Sequence, residues 1–152
     1  MKKLLFIPLL GLCVSASNSI PKPLIAEVKP IEVKPIERTE LVQALIMVES
    51  SGNDSAYNAT EDAVGCLQIR RVMVKDVNRI LKRQGEDKHF KLKDRWDCDK
   101  AVEIFEIYTD YYYPNADDEV IARGWNGGPN GYKKAATEKY WDKVQRHIDV
   151  IQ

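Results

Sequence analysis

Histidine is nearly absent from this chain, with two residues in 152, and no cluster of metal-ligand side chains surrounds either. His89 and His147 lie far apart in polar surroundings, so no metal centre is expected. Nor does either stand near Ser50 or Ser51, which argues against an activated serine nucleophile. The eight glycines form no phosphate-cradling loop, so neither a nucleotide nor another cofactor is expected. Charge of one sign is also missing. Lys plus Arg and Asp plus Glu number 23 each, and this balance offers no basic field to a nucleic acid. Beyond the first 16 residues no apolar run is long enough to cross a membrane.

What is present divides the chain into three parts. Residues 1–16, MKKLLFIPLLGLCVSA, carry two lysines, a short apolar core and a small-residue exit, the anatomy of a secretory signal cleaved before Ser17. Export to a periplasm or to the exterior follows from that reading. Cys13 opens a second one, a lipoprotein signal acylated at that cysteine, although the large Leu12 before it suits this less well. Removing the leader leaves 21 basic against 23 acidic residues. Residues 17–37 hold four of the seven prolines and a tandem EVKPI, which reads either as an extended spacer or as a passive tail. The folded unit is expected over 38–152, one domain.

Within that domain the apolar spacing is mostly helical. Thr39 can cap a helix with Leu41, Val42, Leu45, Ile46 and Val48 over most of its circumference, and Gly52 supplies its stop. AVGCLQI (63–69) reads as a small strand or hairpin. Helical spacing returns over 72–81, ending near Gly85, and over 99–112, ended by Pro114. Asp117 or Asp118 can cap a further helix to about Trp125, broken by NGGPNG, and Thr137 opens a last helix with Trp141, Val144, Ile148 and Ile151 as its stripe. The expected class is α+β, predominantly helical, with a small β-hairpin beside a central helix.

Glu49 is out of place in this pattern. It falls in the last turn of the most apolar helix, where burial and the negative helix end both disfavour its ionised form. Such a carboxyl suits a general acid, as in glycosidases. It also suits a helix end braced on Ser50, Ser51 or nearby amides. Cys66 and Cys98, an even pair in the mature chain, allow either a disulfide or two buried thiols. Tyr108 and Tyr112 share a helical stripe and read as core, leaving Tyr111 and Tyr113 to face a cleft or water.

Three short motifs in register give this stretch a family likeness. Glu49-Ser50, then Ala56, then Gly65-Cys66-Leu67-Gln68-Ile69, and downstream Ala122-Arg123-Gly124-Trp125-Asn126-Gly127-Gly128 follow the order and spacing of the soluble lytic transglycosylase domain. The chain resembles that domain, a lysozyme-like fold related to goose-type lysozyme, over essentially its whole folded part. The resemblance implies that Glu49 is the catalytic acid and base. It implies that Ser50, Gly65, Gln68, Ile69, Trp125, Asn126 and Gly127 line a cleft for peptidoglycan glycan strands, cleaved by a monomer without cofactor. Trp125 stands where the family has tyrosine, removing a phenol oxygen from that position. Cys66 replaces an aliphatic residue and Cys98 a proline, and the paired departures point to a Cys66–Cys98 bridge.

The chemistry implied is a single-acid transglycosylation that ends in a 1,6-anhydro ring. A hydrolase on the same scaffold would need a second carboxylate about 6.5–9.5 Å from the first if it inverts. Asp54, Glu61 and Asp62 are the candidates, and their polar contexts read as solvated loop acids. A wall-binding module without activity is the remaining alternative.

Overall fold

A computed structural model describes residues 39–152; the leader and the proline-rich segment lie outside the described residues. The first helix, α1, spans Thr39–Ser50. Three two-residue strands follow: β1 (Tyr57–Asn58), β2 (Ala63–Val64) and β3 (Ile69–Arg70). They form an antiparallel sheet in the order β1-β2-β3, with Tyr57 opposite Val64 and Ala63 opposite Arg70. Then come α2 (Arg71–Gln84), a 3-10 turn (Leu92–Trp96), α3 (Cys98–Tyr112) and α4 (Asp118–Gly127). Two 3-10 turns, Gly131–Lys133 and Ala135–Thr137, lead into α5 (Glu138–Ile151). The class is α+β and mostly helical.

Helix boundaries follow their caps. Gly85 ends α2 in the left-handed region, with its N–H on the carbonyl of Lys82. The Asp97 and Asp117 carboxylates accept from Lys100 N and Val120 N and start α3 and α4. α4 runs on through Asn126 and Gly127, further than the glycine-rich sequence suggests, because the positive-φ turn comes only at Gly128.

α1 packs on α5 and α4, and α2 packs on α3. Leu41, Ala44 and Leu45 of α1 are buried with Phe105 of α3, Ile121 of α4 and Val144 of α5. Gln43 and Met47 keep one side of α1 at the surface. Phe105 and Tyr108 meet Trp125 edge-to-face, at centroid distances of 5.1 and 6.0 Å. Such pairs add about 1 kcal/mol each beyond the burial itself.

Candidate active site

The chain turns off sharply just after Glu49. Ser51 N–H donates to Met47 O and Gly52 N–H to Ile46 O, and two successive left-handed residues, Ser51 at φ 57° and Gly52 at φ 79°, end the helix. The Ser50 hydroxyl donates to Ile46 O at 3.1 Å and accepts from Asn53 N. Ser50 is therefore spent on closing the helix, and it does not line the cleft.

The Glu49 carboxyl opens into a cleft of about 380 Å³. Burial drives its pKa above the ordinary carboxylate value, opposed by a hydrogen bond from Tyr140 and the charge of Arg70, and reinforced by Glu61. The Tyr140 hydroxyl donates to Glu49 Oε1 at 2.6 Å. Its own pKa is raised by burial and by the neighbouring carboxylate, so the phenol remains a donor. Tyr140 is a site residue that the sequence reading missed. The signal was available, since Tyr140 precedes Val144 and Ile148 at i, i+4 spacing on the buried face of α5. It supplies a phenol beside the acid, while the tyrosine of the family motif is replaced by Trp125.

One wall of the cleft is the small sheet. Gln68 and Ile69 line it, together with Asn58, Glu61, Ala63, Arg70 and Met73. The Gln68 amide nitrogen donates to Gly65 O at 3.0 Å and Ala56 O at 3.3 Å, bracing a backbone held at φ 48°. That use leaves its carbonyl oxygen for a ligand. Gly65 sits behind this wall. Its φ of 78° and the press of the Arg95 carbonyl against it explain the glycine, since an added Cβ would collide with that oxygen.

Arg95 holds the sheet from behind. Its guanidinium, 4% exposed as a residue, donates to Leu92 O, Asp62 O and Ile69 O at 2.8–3.0 Å. A buried cation is tolerated because these carbonyls and the Asp62 carboxylate surround it. The Asp62 carboxyl is in turn held below its usual pKa, chiefly by its hydrogen bond from Arg71. Cys66 and Cys98 are joined by a disulfide that ties this wall to the start of α3. Asp54 lies within 4.8 Å of both sulfurs, which are bonded to each other and so are not free as metal ligands.

The opposite wall is the end of α4, where Trp125 and Asn126 line the cleft. Gly127 does not. It packs inward, where a Cβ would stand 2.8 Å from Thr137 Cγ2, and its carbonyl accepts from Lys134 Nζ at 2.7 Å. Arg123 secures the turns below through Thr137 Oγ1, Lys134 O and Glu119. Tyr113 departs from expectation: it faces neither cleft nor water but is buried against Gly124, with its hydroxyl donating to Gly128 O at 3.1 Å. Burial pushes its pKa up to about 12. Of the three candidate second carboxylates, Glu61 reaches the cleft, Asp62 is committed to Arg71 and Arg95, and Asp54 lies in an exposed turn.

A desolvated carboxyl at the end of a core helix, facing a short antiparallel sheet across a cleft, defines a lysozyme-like protein of the glycosidase and transglycosylase class. Residues 31–148 match the Transglycosylase SLT domain family, and the chain belongs to it. Among characterised proteins it is similar to invertebrate-type lysozyme 6 of Caenorhabditis elegans, 28% identical over 117 residues that cover 70% of this chain and 84% of that protein. Two solved structures share the fold. Tapes japonica lysozyme has a TM-score of 0.57 at 23% identity, over 70% of this chain and 87% of its own. A chain from the complex of Aeromonas hydrophila PliI with Meretrix lusoria lysozyme has a TM-score of 0.56 at 21% identity, with the same coverage.

Proposed function

We propose that this domain is an exported lytic transglycosylase that cleaves the β-1,4 bond between N-acetylmuramic acid and N-acetylglucosamine in peptidoglycan. The observation that carries the proposal is the Glu49 carboxyl, desolvated at the cleft and touched by one phenol donor, with its protonated form favoured. Glu49 protonates the glycosidic oxygen as the bond to the anomeric carbon breaks. The acetamido oxygen of the substrate stabilises that carbon. Glu49, now a carboxylate, takes the proton from the C6 hydroxyl, and the C6 oxygen closes the 1,6-anhydro ring with no water consumed. The Tyr140 hydrogen bond holds Oε1 and steadies the ionised state between the two proton transfers. Asn58, Gln68 and Asn126 offer amide groups to sugar hydroxyl and acetamido groups, and Trp125 offers an indole.

Mass spectrometry of digested murein tests this. Anhydromuramic ends are expected, and hydrated reducing ends would overturn it. One observation favours a second reading, hydrolysis: Glu61 lines the same cleft as Glu49 and could activate water. The lysozyme relative is consistent with that. Under hydrolysis Glu61→Gln abolishes turnover; under transglycosylation it leaves anhydro product forming.

A further inference from the structure

Neutral sugars need no cation for recognition, yet one stands in the cleft. Among the described residues that line it, Arg70 is the only positively charged side chain. Its placement is fixed by the backbone. Ile69, its neighbour in β3, is buried and gives its carbonyl to Arg95, while Arg70 itself is exposed and stands at the N-cap of α2. The Arg70 side chain makes no capping hydrogen bond to that helix and is free to project into the cleft. Its ion pair is with Glu61 Oε2 at 3.5 Å, between side chains 48% and 55% exposed. A pair this open contributes about 0–1 kcal/mol, so it orients the guanidinium without saturating its five donors.

We infer that Arg70 is the recognition point for a carboxylate carried by the glycan, which makes the substrate an acidic polysaccharide strand and not a neutral one. The inference rests on the murein reading above and adds to it which strands are preferred. The planar fork of arginine matches a carboxylate through two parallel hydrogen bonds, a fit that hydroxyl and acetamido groups lack. In murein that chemistry has two sources: the lactyl carboxylate of a muramic residue whose peptide has been removed, and the carboxylates of an intact peptide stem.

Three strand preparations distinguish them: denuded strands with free lactyl carboxylates, the same strands converted to methylamides, and peptide-bearing strands. For the wild-type chain, KM on denuded strands is expected to lie about tenfold below KM on the methylamides, as for loss of one charge-assisted contact. Arg70→Gln should raise KM on denuded strands to the methylamide value while leaving KM on the methylamides where it is, and Arg70→Lys should restore part of the difference. If the lowest KM falls on peptide-bearing strands and is lost in Arg70→Gln, the stem supplies the carboxylate and Arg70 still reads it. Equal KM on all three preparations overturns the inference while leaving the murein reading intact. So does an Arg70→Gln effect as large on methylamides as on denuded strands. No turnover of any strand by the wild-type chain overturns both.

Discussion

Replacing both Cys66 and Cys98 by alanine removes the one covalent link between the sheet and α3 among the described residues. The bond closes a loop with a sequence separation of 32. In the chain-entropy treatment such a loop restricts the unfolded ensemble by about 3.7 kcal/mol at 25 °C. Cys66 is fully buried, so losing its sulfur adds a packing cost of about 1 kcal/mol. A domain of ordinary stability, about 5–15 kcal/mol, survives this at 25 °C but with a much reduced margin. Urea unfolding of the oxidised wild type and the double variant measures the difference. A loss of about 4–5 kcal/mol is expected, with a larger m-value because the uncrosslinked chain exposes more surface. A loss below about 1 kcal/mol would refute the reasoning and show that Arg95 and core packing alone hold the wall.

Glu49→Gln should lower turnover by about 10²–10⁴-fold while strand binding persists, since the proposed general acid is removed and the Tyr140 contact can be kept. The same variant should be more stable than wild type as pH rises. The native state holds the Glu49 proton more tightly than the unfolded chain, so that contribution is present below the ordinary carboxylate pKa and is lost as pH climbs through the raised native value. Melting temperatures of the pair should therefore diverge upward across that window, and parallel curves would count against a desolvated acid. Tyr140→Phe removes a hydrogen bond that lowers the Glu49 pKa, so the alkaline limb of kcat/KM should move to higher pH; an unmoved limb would separate Tyr140 from the acid. Gly65→Ala forces a Cβ into the Arg95 carbonyl at positive φ and should cost about 3 kcal/mol in urea unfolding.

The helices that frame the site were legible because each carries its own punctuation. Gly85 after α2, Pro114 after α3 and Asp117 before α4 mark ends by backbone chemistry that needs no tertiary context. Glu49 was legible for a related reason, as a charge that broke an otherwise apolar helix. The sheet was only half legible. Strands of two residues have no period, and β1, with both residues exposed, has no apolar signature at all. Arg95 sits in KLKDRWDCDK, where an arginine looks solvated, and its burial depends on carbonyls contributed by distant β-turn and strand residues. Ser50 and Gly127 show the opposite failure. Each belongs to a motif at the cleft, but local hydrogen bonding and packing turn both away from it. Glu61 read as a solvated loop acid because nothing in the sequence shows that the hairpin brings it to the cleft beside Glu49.

The hydrogen bond between Tyr140 and Glu49 spans 91 positions, from the last helix to the first described one. During synthesis the acid emerges well before its phenol. Until α5 docks onto α1, the carboxyl lacks both the partner and the cover that set its proton affinity. A chain in which α5 is not docked lacks the Tyr140 donor at this carboxyl. Under the proposed function, a copy clipped before Tyr140 would carry the acid without its donor and would be poorly active or inert.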